Sequence, residues 1–306
     1  ETNPIFPKGK KDMRIQYLRD FIAPGNIKET IRISWRTRPN WIEIPTLLLD
    51  ASAAPDIIEK IWNGADVKIH DIGAPLHMRV VGIVDKTYSN SNIVGKFDLE
   101  ESDKIRTAQR FSQMRLAITT LASYYGHSRV VAGGSILLRK AINRNWLGPE
   151  NVDWCHYGAM RGLDFAKFHA AAVSVGRMEL PLRTIDGLVA ALTYDDPKPE
   201  LPFDRDGTGL VKGTNRPLML PTGTQSFKMR SGENIEIPTP MHPRRWGRMI
   251  QRQYREEELN QFCGRLRPVY REGDMPVWFA MSSVIPEELI VDDFIHIDDL
   301  VFAIIF

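Results

Sequence analysis

The stretch QFCGRLRPVYR, residues 261–271, sets Arg265, Arg267 and Arg271 just beyond Gly264. Like charges this close repel, so either water screens them or an anion sits among them. Gly264 lets the chain leave a helix and turn its following side chains outward. The planar forks of Arg265 and Arg267 match phosphate oxygens two bonds at a time. Gln261, one turn earlier, is placed to fix the loop or to touch a nucleotide. A solvated basic helix end, helped slightly by the helix dipole, accounts for the same charges without any ligand.

A second stretch, AMRGLD (159–164), stands shortly before an apolar run. Gly162 permits a close approach of backbone to a ligand. Asp164 can accept from a ribose hydroxyl, and Arg161 can pair with phosphate or carboxylate. An ordinary loop-to-strand junction with a structural Arg–Asp pair fits the same residues.

Together the two stretches resemble motifs of the superfamily two helicases. QFCGRLR has the form Gln-x-x-Gly-Arg-x-Arg of motif VI, and AMRGLD has the form Ala-x-Arg-Gly-Leu-Asp of motif V. LLLDASAAPDII (47–58) resembles motif III, with Ala54 where a threonine would stand, and RVVAGGSILLRKAI (129–142) resembles motif IV. The group most resembled is the helicase-like proteins of phages and plasmids. The resemblance spans roughly residues 44–285 and rests on short motifs.

It implies a RecA-like lobe that presents Arg265 and Arg267 to the γ-phosphate of ATP as arginine fingers, with Gln261, Gly264, Gly162, Asp164 and Arg161 around the nucleotide. A helix start at Gly134 and Ser135 and the loop at His156 would face single-stranded DNA or RNA, and Arg271 would serve either partner. A plain strand–turn–helix explains Gly134 and Ser135 as well.

The remaining parts of such an engine do not appear. GTGLVKGT (207–214) places Lys212 before Gly213, the wrong order for a phosphate loop. No Asp-Glu pair closes an apolar strand in the first half to hold magnesium. ATP and magnesium would therefore be bound mainly by a first RecA-like lobe, upstream or in trans. Residue one is Glu, so the chain is expected to be cut from a longer polypeptide. A non-catalytic nucleic-acid-binding or docking module built on the same lobe is the alternative.

The elements that must position these residues alternate between strand and helix. Apolar runs at 44–52, 77–89, 128–134, 168–176 and 275–285 read as strands, several without polar alternation, as in parallel sheets buried on both faces. Helical spacing is read over 55–62, 103–125, 135–143, 184–193 and 243–263. Over 103–125, with Ser102 or Asp103 as cap, Ile105, Ala108, Phe111, Leu116, Leu121 and Tyr125 recur at helical intervals, and over 243–263 Trp246, Ile250, Tyr254, Leu259 and Phe262 are expected on the inner face. Residues 197–242, rich in Pro, Gly and Thr, read as an irregular or hairpin insertion. The fold class expected is α/β, a RecA-like, largely parallel sheet with helices on both faces. Residues 1–43 are expected as a connecting segment from a first lobe, 44–285 as the lobe, and 286–306 as an acidic extension.

Composition sets the bounds. The 306 residues are 43% hydrophobic and 25% charged, which suits a globular protein and excludes fibrous or disordered classes. Forty Lys and Arg nearly cancel 38 Asp and Glu, so any basic site has to be local. The two cysteines, Cys155 and Cys263, lack metal or redox spacing, and the seven histidines lack ligand company, so no metal site is expected. Cys155–His156 as a catalytic dyad is disfavoured, since sequence neighbours seldom face each other. With no apolar run long enough for a membrane span, a cytoplasmic protein without membrane partners is expected.

Overall fold

The computed structural model describes residues 14–23, 26–37, 40, 44–48, 54–62, 66–70, 72–95, 100–160, 162, 164–205, 209–214 and 218–302. In chain order the elements are β1 (Ile15–Ala23), β2 (Asn26–Ile33), α1 (Pro55–Ile61), β3 (Arg79–Ile83), α2 (Asn90–Ile93), α3 (Glu101–Tyr125), β4 (Val130–Gly134), α4 (Ile136–Asn145), β5 (Val152–His156) and β6 (Ala171–Val175). They continue with α5 (Leu182–Thr193), β7 (Thr222–Lys228), β8 (Asn234–Pro240), α6 (Arg245–Cys263), β9 (Val277–Met281), β10 (Asp293–Ile295) and α7 (Ile297–Phe302). Two compact units share the chain. One comprises residues 1–71, 179–222 and 240–254, the other 72–178, 223–239 and 255–306.

The second unit holds a six-stranded sheet in the order β10-β3-β9-β6-β4-β5, and every neighbouring pair is parallel. The four inner strands, β3, β9, β6 and β4, are runs of five residues buried over nearly their whole length. Alternation divides the side chains between two cores. Ala171, Val173 and Val175 of β6 pack with Met114, Ile118 and Leu121 of α3 and Leu138 and Ile142 of α4. Ala172 and Trp278 face the other way, onto Leu259 and Phe262 of α6 and Phe227 of β7. Each fully buried Leu, Ile or Phe stabilises by about 1.5–3 kcal/mol. Gly133 makes the second contact possible, because a Cβ there would lie 2.5 Å from the Phe262 ring.

In the first unit β1 and β2 form an antiparallel hairpin, with Ile15 opposite Ile33 and Tyr17 opposite Ile31. Ile185, Val189 and Leu192 of α5 pack with Ile250 of α6, and Ile57 and Ile61 of α1 lie against them. The buried Asp186 carboxylate accepts the backbone N–H groups of Phe203 and Asp204 and thereby fixes the turn after α5.

Most expected elements are present, and several details are corrected. Within the apolar run at 44–52, the described residues 44–48 form no strand of the sheet. Residues 44–48 are irregular, and Leu47 is 81% exposed, while 49–53 lie outside the described residues. A run of leucines forms a buried strand only where both faces find cover, and the six sheet positions are filled by other segments. Residues 44–71 accordingly belong with the first unit, not with the sheet-bearing one.

The end of the chain is not a mere acidic extension. β10 is the edge strand beside β3, and Ile297 and Leu300 of α7 enter the core. The intervening acids are used locally. Asp292 pairs with Arg230 and accepts the Val80 N–H, and Asp298 and Asp299 sit in the first turn of α7.

The inner faces of two helices also differ from expectation. α3 starts without a side-chain cap, and its buried residues are Met114, Ala117, Ile118, Leu121 and Ala122, whereas Ile105 and Leu116 are exposed. Tyr254 of α6 is exposed as well. The insertion at 197–242 contains the β7–β8 hairpin, whose Phe227 and Met229 enter the second core.

Candidate functional site

The arginine cluster is built at the end of α6. The helix stops at Cys263, a single 3-10 turn covers Gly264–Leu266, and Leu266 is buried as its anchor. Arg267 follows with φ +53° and ψ +49°, a left-handed conformation that non-glycine residues seldom adopt. No other described non-glycine residue has positive φ. This bend sends the Arg267 side chain away from the helix to Asp164, with Nε 2.8 Å from Oδ1.

Residues from the two motifs, 103 positions apart in the chain, therefore meet. Arg267 is 44% and Asp164 49% exposed at the side chain, so the pair lies in water and is held loosely. The Arg267 guanidinium keeps the Asp164 carboxyl below the usual carboxylate range.

A cleft of about 650 Å³ opens beside this pair, where the cations Lys167, Arg267 and Arg271 and the carboxylates Asp164, Glu272 and Asp274 share the lining with Phe168 and Tyr270. It lies at the amino edge of the sheet. Pro268 accepts the N–H of His77 just before β3, and Ala170 accepts that of Val277 at the start of β9. Arg271 donates to the carbonyls of Lys167 and His169 and so ties the two walls together. Beneath them Arg129 forks onto both oxygens of Asp153, and His169 Nε2 lies 2.7 Å from Asp153 Oδ2. The hydrogen bond from Arg129 holds the Asp153 carboxyl below its ordinary range. Burial pulls the His169 imidazole below its usual value, against the opposing pull of Asp153.

Arg265 is placed otherwise than expected of a free finger. Its Nη2 donates to Gln261 Oε1 at 2.9 Å and its Nε to the Gln261 carbonyl at 3.1 Å. Gln261 therefore fixes the loop. Gly162 is exposed with φ +76°, and no heavy atom lies within 4 Å of the Cβ it lacks, so the backbone conformation, not crowding, calls for glycine. Arg161 lies outside the described residues.

Gly134, Ser135 and His156 stand at the opposite, carboxyl edge of the sheet, about 16 Å away by the length of a five-residue strand. Gly134 is a packing glycine, because a Cβ there would lie 2.7 Å from Leu138 and 3.2 Å from the Val175 carbonyl. Ser135 caps α4 by accepting the Leu138 N–H at 3.1 Å. Cys155 and His156 point to opposite faces of β5. Burial pushes the Cys155 thiol up to about 12, which leaves it inert as a nucleophile.

Several participants give no motif signal. Glu258, buried in α6, accepts the backbone N–H of Gly158 and pins the chain just before residues 159–164. Arg129, Asp153 and His169 are recognisable only by position, as charged residues at the entries of three neighbouring strands.

Comparison with models of protein families, with curated proteins and with solved structures matches none of them. The fold itself defines the class: an α/β protein with an all-parallel six-stranded sheet covered on both faces. Among the described residues no helix is long and apolar enough to cross a membrane.

Proposed function

We propose that the sheet-bearing unit is the second, RecA-like lobe of a nucleic-acid-dependent ATPase of the superfamily two helicase type, acting as a helicase or translocase on single-stranded DNA or RNA. The observation that carries this reading is the meeting of Asp164 and Arg267 at the wall of an open cleft. Two motifs far apart in sequence converge where a phosphorylated ligand has room.

Because the pair is exposed, an incoming phosphate can displace the Asp164 carboxylate from Arg267 with little loss. The freed carboxylate is then available to a ribose hydroxyl. Lys167 lines the same cleft and adds a point charge to the planar fork of Arg267. In this reading Arg267 is the finger, and Arg265, tied to Gln261, positions the loop that presents it. The phosphate loop and magnesium are assigned to a first RecA-like lobe, since these 306 residues hold no Gly-x-x-x-x-Gly-Lys-Ser/Thr.

The test is ATP hydrolysis by the full-length polypeptide that carries this unit, with and without single-stranded oligonucleotide. Arg267→Ala is expected to lower kcat about a thousandfold, equivalent to about 4 kcal/mol, with a small change in KM. Arg265→Ala is expected to lower it less. An unchanged kcat in Arg267→Ala would overturn the reading.

A further inference from the structure

α3 is longer than the sheet it covers. Its 25 residues span about 37 Å, whereas a five-residue strand spans about 16 Å. Its buried residues run only from Met114 to Ala122, so the amino half projects beyond the carboxyl edge of the sheet. That overhang begins with Glu101 and Asp103, which pair with Lys104 and Arg106, and turns basic beyond them. Arg106 and Arg110 stand one turn apart on it, Gln109 and Gln113 form a second ladder beside them, and Lys86 reaches in from the loop after β3. With Ser112 these residues line a trough of about 620 Å³.

The local charges are incompletely matched. Arg110 makes no hydrogen bond or ion pair among the described residues. Arg106 has only the exposed Asp103 one turn earlier, at 3.1 Å. Lys86 is held at 3.1 Å by Gln113 and lies 3.7 Å from Asp85, whose inward-turned carboxylate also accepts from Tyr88 and from the Ile297 N–H. Two arginines at i and i+4 repel and weaken a helix, a cost that an anion lying along them would offset.

The geometry points to a second anion site, and we propose that this trough binds the phosphate backbone of a single-stranded nucleic acid without reading its bases. It deepens the nucleic-acid part of the proposed function at a place that none of the motifs touches. A strand fits better than a compact anion because the cations are spread along the helix, about 6 Å apart per turn. No aromatic ring lines the trough, so it lacks the platform on which a base would stack. α2, packed on both α3 and α4, links the trough to Ser135 through Asn90.

The experiment measures binding of fluorescein-labelled dT20 and U20 by anisotropy across a salt series, using the whole chain. The triple variant Lys86→Ala/Arg106→Ala/Arg110→Ala is expected to bind about tenfold more weakly and to flatten the log K against log salt slope by about 2, since each single-strand phosphate contact contributes about 0.7. Arg106→Lys/Arg110→Lys is expected to keep the slope, which separates charge from packing. Circular dichroism should show both variants folded.

An unchanged slope in the triple variant would overturn the site. So would displacement of dT20 by tripolyphosphate at equal phosphate concentration, the behaviour of a compact anion pocket. Binding to phosphatidylserine vesicles in place of either oligonucleotide would overturn it too. The binding assay contains no ATP and keeps Arg267 intact. Failure of the ATP reading at Arg267 is thereby told apart from failure of the trough.

Discussion

Arg267 combines two properties that rarely coincide. Its backbone is left-handed, a conformation that disfavours any side chain by about 1–2 kcal/mol, and its guanidinium is spent on an exposed ion pair of little worth to stability. Strain kept where stability gains little is a reason to suspect function. Arg267→Gly should therefore raise thermal stability, by about 1 kcal/mol, while removing the response to ATP. A lower melting temperature in that variant would show that Arg267 is structural. The two motifs were legible at this scale because glycine and arginine spacing survives in a linear string. The backbone angle was not, since it depends on how Leu266 is anchored beneath. The partner of Arg265 was half legible: Gln261 was read as fixing the loop or touching a nucleotide, and the structure shows the first.

At the scale of elements, the entries of β4, β5 and β6 are tied together by Arg129, Asp153 and His169. The folded His169 imidazole titrates below its ordinary value near 6.5. Between those two values the unfolded chain binds a proton that the folded chain does not. His169 therefore contributes stability that is fully present above about pH 6.5 and is lost as pH falls through the folded value. Asp153, held below its ordinary range, contributes above about pH 3.8 and is lost only in stronger acid. Melting temperature should fall on acidification from pH 7 to 5, and His169→Gln should flatten that fall. An identical profile in the variant would remove His169 from the account.

Four of the six sheet strands, β3, β4, β6 and β9, were placed from their apolar runs, whereas β5, β10 and the β1–β2 hairpin were not, because their residues are only partly buried or alternate with polar ones. The exception at 44–52 shows the limit. An apolar run states that cover is needed, not that cover exists. The inner face of α3 was misjudged for a related reason: a helix longer than its sheet repeats apolar residues where no core lies beneath them.

At the scale of the molecule, the surprise is the end of the chain. Its acids suggested a solvated extension, yet β10 and α7 close one edge of the sheet and cover part of a core. Deleting residues 286–306 exposes the sheet edge and removes Ile297 and Leu300, each worth about 1.5–3 kcal/mol when fully buried. A truncated chain should accordingly lose several kcal/mol, read as a lowered urea midpoint. A truncation with the midpoint of the intact chain would show that β10 and α7 are dispensable. The division into two units was not legible, since the first gathers three separated segments that share no local signal.

The most direct measurement of whether the Asp164–Arg267 pair yields to a phosphorylated ligand is site-specific modification by phenylglyoxal, read by mass spectrometry on the folded polypeptide that also carries the proposed first lobe. Millimolar magnesium-ATP should slow the modification of Arg267 at least severalfold while Arg110, at the far edge of the sheet, reacts as before. Equal rates at Arg267 with and without ATP would contradict the assignment of this cleft to a triphosphate.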